Sequence, residues 1–158
     1  IEYHTHESFY QDPDHNVVGF HIEEAVYAPL YYGYSGHSGV VRGTTSRSAF
    51  ARSVDTQIMK RAPDTVLVLL KAAPEVILQR MSDTPHVRQV VQGDDITEVL
   101  GKFEEEFQSS LIRRKITLDT STNHVEQTLD EFVRKIEPFL SEADRMRILV
   151  HQSLDRSL

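Results

Sequence analysis

Thr65-Val66-Leu67-Val68-Leu69-Leu70, followed by Lys71-Ala72-Ala73-Pro74, is the stretch on which the fold of this sequence turns. From Val66 to Leu70 it is apolar at every position, so both faces of a strand built from it are apolar. That is the pattern of a strand covered by helices on each side. Pro74 has no N–H to donate, and the first turn of a helix is where that donor is unpaired anyway. The sequence therefore predicts a helix from Pro74 to about Met81. Upstream, Phe50, Val54 and Ile58 recur at four-residue spacing and predict a helix over 46–62, stopped by Pro63-Asp64.

Working outward, Val17-Val18-Gly19-Phe20-His21-Ile22 reads as a short strand closed by Glu23-Glu24. The stretch Tyr27 to Tyr34, broken by Pro29 and Gly33, reads as a passage from strand to loop, and the glycine-containing residues 35–45 as a loop. Residues 82–93 interrupt the pattern. Ile96, Val99, Leu100, Phe103, Phe107 and Leu111 then step by three and four, the period of a helix. Lys115 to Asp119 is a further strand candidate. Asn123, three residues before Glu126, reads as the cap of a helix carrying Val125, Leu129, Phe132, Val133 and Ile136 on one side. Residues 141–158 read as a closing helix. Strands alternating with helices predict an α/β class with a parallel sheet.

The chain has 158 residues, which favours one domain over 1–158, and its 39% apolar content suffices for one core. A formal charge of −7 argues against coating nucleic acid. The absence of cysteine excludes disulfides and thiolate metal sites and fits a reducing compartment, so a cytoplasmic location is expected. The longest apolar run, Val66 to Leu70, is far too short to cross a bilayer, and no membrane partner is expected.

In open parallel sheets, ligands bind beyond the carboxyl ends of the strands. The first such end presents Glu23-Glu24, where an acid either holds magnesium or takes a proton, or is simply a solvated terminus. Arg80, His86 and Arg88 form a second group, suited to gripping phosphate oxygens if they do not merely face water. His4, His6, His15 and His21 with Glu7, Asp12 and Asp14 could bind a metal, although nothing fixes their spacing and surface histidines are the simpler reading. Tyr27, Tyr31, Tyr32 and Tyr34 either stack on a ring-shaped ligand or pack into the core.

Ile22-Glu23-Glu24-Ala25-Val26-Tyr27 resembles the third-strand end of deoxynucleoside kinases, where an acid precedes an arginine. Asp64 to Arg80, DTVLVLLKAAPEVILQR, is similar to the fourth strand and following helix of deoxynucleoside and thymidylate kinases. Thr84 to Phe107 resembles their arginine-bearing lid with its helix, and Lys115 to Asn123 their fifth strand and adenine-side loop. The resemblance covers about Val17 to Leu140. It implies a P-loop NTPase-like, three-layer parallel sheet with helices on both faces, a lid-like segment at 82–93, and transfer of the γ-phosphate of ATP, with magnesium, to a small-molecule acceptor.

By position it implies Glu23 as the base or magnesium-orienting acid, Arg80 and Arg88 as phosphate-neutralising arginines, and Thr120, Ser121 and Asn123 beside the adenine. Glu24, Tyr27, Arg42 and Arg47 fall on the acceptor side, and a homodimer is possible. Glu24 stands where the family has arginine, which reverses a charge that would face phosphate. The chain contains no G-x-x-x-x-G-K followed by Ser or Thr. It also begins at Ile1 rather than Met. The expectation is a sheet incomplete at the amino end, with the strands at 17–22 and 65–70 flanking a missing central one, and a chain inactive by itself. The alternatives are a non-catalytic nucleotide-binding or interaction module on this fold and, more remotely, a His-based metal hydrolase.

Overall fold

The computed structural model describes residues 16–33, 46–85 and 90–155. Helix α1 spans His21–Tyr31 and α2 Arg47–Arg61, followed by strand β1 at Val66–Lys71. Helix α3 spans Pro74–Asp83 and, after a 3-10 turn at Gly93–Asp95, α4 spans Ile96–Ser109. Strand β2, Arg114–Asp119, and helix α5, Val125–Ile136, follow, and a 3-10 turn at Glu137–Phe139 leads into α6, Glu142–Asp155. The described residues are thus mixed α/β, with β1 and β2 paired in parallel and Val66 opposite Arg114, Val68 opposite Ile116 and Leu70 opposite Leu118. No helix among them is long and apolar enough to cross a membrane.

The strand expected over 17–22 does not form, and His21 and Ile22 open α1 instead. Val17 and Val18 suggested a strand, but they are 47% and 91% exposed and extend no ladder among the described residues. Gly19 then takes a positive φ of 63°, which ends the extended run. Beyond it, His21, Ala25 and Ala28 fall on one buried face at helical spacing, and Glu23 and Glu24 occupy the first turn, where the helix dipole favours acids. The helix continues through Pro29 to Tyr31, so Tyr27 and Tyr31 lie on a helix rather than in a loop.

In α2 the buried face is Ala51, Asp55 and Ile58, not the Phe50–Val54–Ile58 row, whose first two members are only half-buried. Helices α1 and α2 pack together, each with buried alanines, and the cost of a buried aspartate is met by the partners described below. Helix α5 is capped by His124 with Gln127, one residue beyond the expected Asn123–Glu126 pair. Ser141 and Asp144 cap α6 reciprocally.

Helix α1 packs on α2 and α4, α4 on β1, and α5 on β2. The face of Leu67, Leu69 and Lys71 meets α4, where Lys71 pairs with Glu104 at 2.8 Å and the Lys115 ammonium lies 5.5 Å from the Phe107 ring centre. On the opposite face the two strands differ. Ile116 and Leu118 of β2 are 4% and 2% exposed, whereas their register partners Val68 and Leu70 of β1 are 36% and 63% exposed. Among the described residues β1 also has a strand on one side only. The carbonyl of Lys71 accepts the Thr120 N–H at 2.8 Å, so the alternation of a strand turns the Val68 and Leu70 backbone groups toward the open edge.

A cleft of about 2110 Å³ runs along that edge, bounded by β1, α1, α3, α4 and α5. The asymmetry has a measurable consequence. Leu118→Ala should cost about 2–5 kcal/mol in denaturant unfolding, while Leu70→Ala at the adjacent position should cost less than about 1 kcal/mol.

Candidate functional site

The carboxyl ends of β1 and β2 lie side by side, and short polar links join the loops that follow them. The Thr120 N–H and hydroxyl both reach the Lys71 carbonyl, at 2.8 and 3.2 Å. Arg80, in the last turn of α3, donates to the Thr120 hydroxyl at 3.1 Å and to its carbonyl at 2.6 Å. The Ser121 hydroxyl accepts the Ala73 N–H at 2.8 Å, next to Pro74 at the start of α3. The Asp119 carboxylate accepts both the hydroxyl and the N–H of Ser121, which hold its pKa below the ordinary aspartate value. Asn123 donates to the Asp119 carbonyl and to Glu131, both at 3.3 Å.

Arg80 and the 120–123 loop, separate groups in the sequence reading, therefore form one connected rim. Arg80, Ser121, Asp119 and Lys71 line the cleft, and from its α1 wall so do Glu23 and Tyr27. The Glu23 carboxylate folds back on Gly19, where an added Cβ would stand 2.0 Å from Oε2. Glu23 accordingly lies in the first turn of a helix, not at the end of a strand. Tyr27 packs edge-on against Phe103, with ring centres 5.4 Å apart. Burial and then the nearby Glu23 charge push its phenol pKa up. Tyr31 donates to Asp95 at 2.9 Å, and burial together with that carboxylate raises its pKa to about 12.

Glu24 and Arg47 do not line the cleft. They face each other at 3.6 Å between α1 and α2, so the Glu24 carboxylate is opposed by a guanidinium. Arg42, His86 and Arg88, like His4, His6, His15 and Tyr34, lie outside the described residues. Among the described residues no group of three or more His, Asp or Glu side chains converges as a metal site. A single carboxylate such as Glu23 suits magnesium only in company with substrate phosphates and water, the usual manner of binding that ion.

The sequence reading missed the buried polar cluster behind the cleft. His21 Nε2 lies 2.6 Å from Asp55 Oδ1, with the two residues 3% and 0% exposed. Asp55 Oδ2 accepts the Leu111 N–H at 2.9 Å and stands 2.9 Å from Arg52 Nε. Arg52 reaches on to Glu106 at 3.1 Å and to the Ser109 hydroxyl, and Ser48 donates to Glu106. Burial pushes the Asp55 pKa up, but the bonds from His21, Leu111 and Ser110 outweigh it and hold the group below its ordinary value. An ionised carboxylate only accepts, so His21 Nε2 carries the hydrogen. The signal in the sequence is Asp55 itself, four residues after Ala51 and three before Ile58 on an otherwise apolar row.

Comparison of the chain with protein-family models, with curated proteins and with solved structures found no match in any of the three.

A carboxylate with a lowered folded-state pKa stabilises the fold above its unfolded value of 3.8, and that contribution is lost as pH falls through the folded value. Asp55→Asn should therefore be clearly less stable than wild type at neutral pH, and the difference should shrink below pH 3.8. Denaturant unfolding at several pH values measures it. At neutral pH, Asp55→Ala, which strands His21 and Arg52, should cost about 3–5 kcal/mol.

Proposed function

We propose that this chain is the carboxyl-terminal part of a P-loop phosphotransferase of the nucleoside and nucleotide kinase type, which moves the γ-phosphate of ATP to a small-molecule acceptor. The observation that carries the reading is the open edge of β1, with a cleft beside it and Arg80, Ser121, Glu23 and Tyr27 on its walls. In that reading the intact domain is a three-layer parallel sheet, and the strand that ends in the phosphate-binding loop occupies the open edge. The cleft's volume of about 2110 Å³ exceeds the roughly 300–1,000 Å³ of small-molecule pockets and suits a polypeptide segment together with its ligand.

Phosphoryl transfer depends mainly on positioning and charge stabilisation. Arg80, with Arg88 from the lid-like segment, neutralises oxygens of the migrating phosphoryl group. Its existing bonds to Thr120 fix the guanidinium at the cleft rim. Glu23 accepts the proton of the acceptor hydroxyl, and Tyr27 with Phe103 offers an aromatic wall to the acceptor. Thr120, Ser121 and Asn123 border the adenine. Magnesium would be held by the ATP phosphates and water, and where Glu23 orients it rather than taking the proton, it would supply charge neutralisation there. A second reading, a non-catalytic module, draws on the same Arg80–Thr120 bonds, since an arginine tying two loops together has a structural role without any phosphate.

The decisive experiment expresses the reading frame with its upstream segment and follows transfer from γ-labelled ATP to a panel of nucleosides and nucleoside monophosphates. Transfer is expected from the longer protein and none from residues 1–158 alone. In the longer protein, Glu23→Gln and Arg80→Ala should each lower kcat about 10²-fold while changing the KM for ATP less. No transfer to any acceptor, or an unchanged kcat in both variants, overturns the proposal.

A further inference from the structure

Glu23, Tyr27 and Tyr31 follow one another at four-residue spacing and so share one face of α1. The first two line the cleft. The Tyr31 hydroxyl donates to Asp95 Oδ2 at 2.9 Å, at the entry to α4. We propose that Tyr31 is a positioning residue whose hydroxyl, through Asp95, sets how α1 lies across α4 and so where Glu23 and Tyr27 stand in the cleft. This role rests on the phosphotransferase reading and assigns it a residue that touches neither ATP nor the acceptor.

His21 and Glu24 tie the start of α1 to α2, while Tyr31 ties its last turn to the start of α4. Pro29 has no N–H to give to the Ala25 carbonyl, so α1 lacks one of its own bonds shortly before Tyr31. On the other side, Asp95 Oδ2 also accepts the Gln92 N–H at 3.1 Å, and the Asp95 N–H returns to the Gln92 carbonyl at 3.0 Å. These bonds close the 3-10 turn from which α4 starts. The turn also meets α3, where a Cβ added to Gly93 would stand 3.0 Å from Leu78 Cδ2. One turn back along α1, the Tyr27 ring lies 6.0 Å from that of Tyr31 and 5.4 Å from that of Phe103 on α4. The ring contact tolerates sliding. The hydrogen bond, with its narrow range of length and angle and its charged acceptor, does not.

In the longer protein that carries the upstream segment, Tyr31→Phe removes one oxygen and keeps the ring. It should lower kcat/KM for the acceptor about 10–100-fold. The KM for ATP should change less than about twofold, because ATP is bound from the Arg80 and Thr120 side. Asp95→Asn, which keeps an acceptor oxygen, should retain most of the activity, and Tyr31→Phe should add no further loss to Asp95→Ala. A second readout needs no activity. Residues 1–158 contain no cysteine, so in that chain spin labels on Tyr32→Cys and Gln108→Cys, both exposed positions, report the tilt of α1 along α4. Their distance distribution should be narrow with Tyr31 and broadened or shifted with Tyr31→Phe. An unchanged distribution overturns the proposal. So does a broadened one with unchanged acceptor kinetics, which makes the bond structural only. Absence of transfer by the unsubstituted longer protein overturns the kinase reading and this role together.

Discussion

The mutual placement of α1, α2 and α4 depends on one buried carboxylate. Asp55 sits in the middle of α2 with no exposure, and its two oxygens face partners from three parts of the chain: His21 at the start of α1, Arg52 on its own helix, and the Leu111 N–H just before β2. A charge removed from water is costly unless it is fully paired, so any arrangement that separates these segments is penalised. Apolar contacts alone would be less selective here. Ala25 and Ala28 of α1 and Ala51 of α2 are buried, and small side chains pack acceptably in many registers. The Asp55 cluster picks one of them. Through Arg52 and the Glu106 carboxylate it extends to α4, the helix that covers β1.

The sheet and the helices around it were legible because each carries a strong local signal. Val66 to Leu70 is apolar throughout, Pro74 marks a helix start, and Ile96 to Phe107 keeps the helical period. α1 was misread because Val17 and Val18 imitate a strand, whereas the choice is made by tertiary burial of Ala25, Val26 and Ala28, which local propensity does not record. The face of α2 was misassigned by about one residue for a related reason. An aspartate on a helix ordinarily faces water, so Phe50 and Val54 attracted the reading while Asp55 took the core position.

The candidate site shows the same division. Arg80 was legible as a guanidinium at a helix end, and Thr120 and Ser121 as polar residues at a strand end. Their joining into one rim was not, because it depends on the parallel pairing that sets Lys71 opposite Asp119. The Glu24–Arg47 pair was also hidden, since the two residues were read as separate acceptor contacts and meet only through the packing of α1 on α2.

The open edge of β1 leaves an imprint on the backbone itself. Leu67, Leu69 and Lys71 turn their amides toward β2, while Val68 and Leu70 turn theirs toward the cleft. Among the described residues, successive amides of one strand therefore sit in unlike surroundings, alternately inside a ladder and at an edge with no paired strand. Deuterium uptake along β1 should carry a two-residue rhythm in this chain. Once another strand pairs at that edge the rhythm disappears, and the labelling pattern of five neighbouring amides then reports directly whether the sheet has been completed.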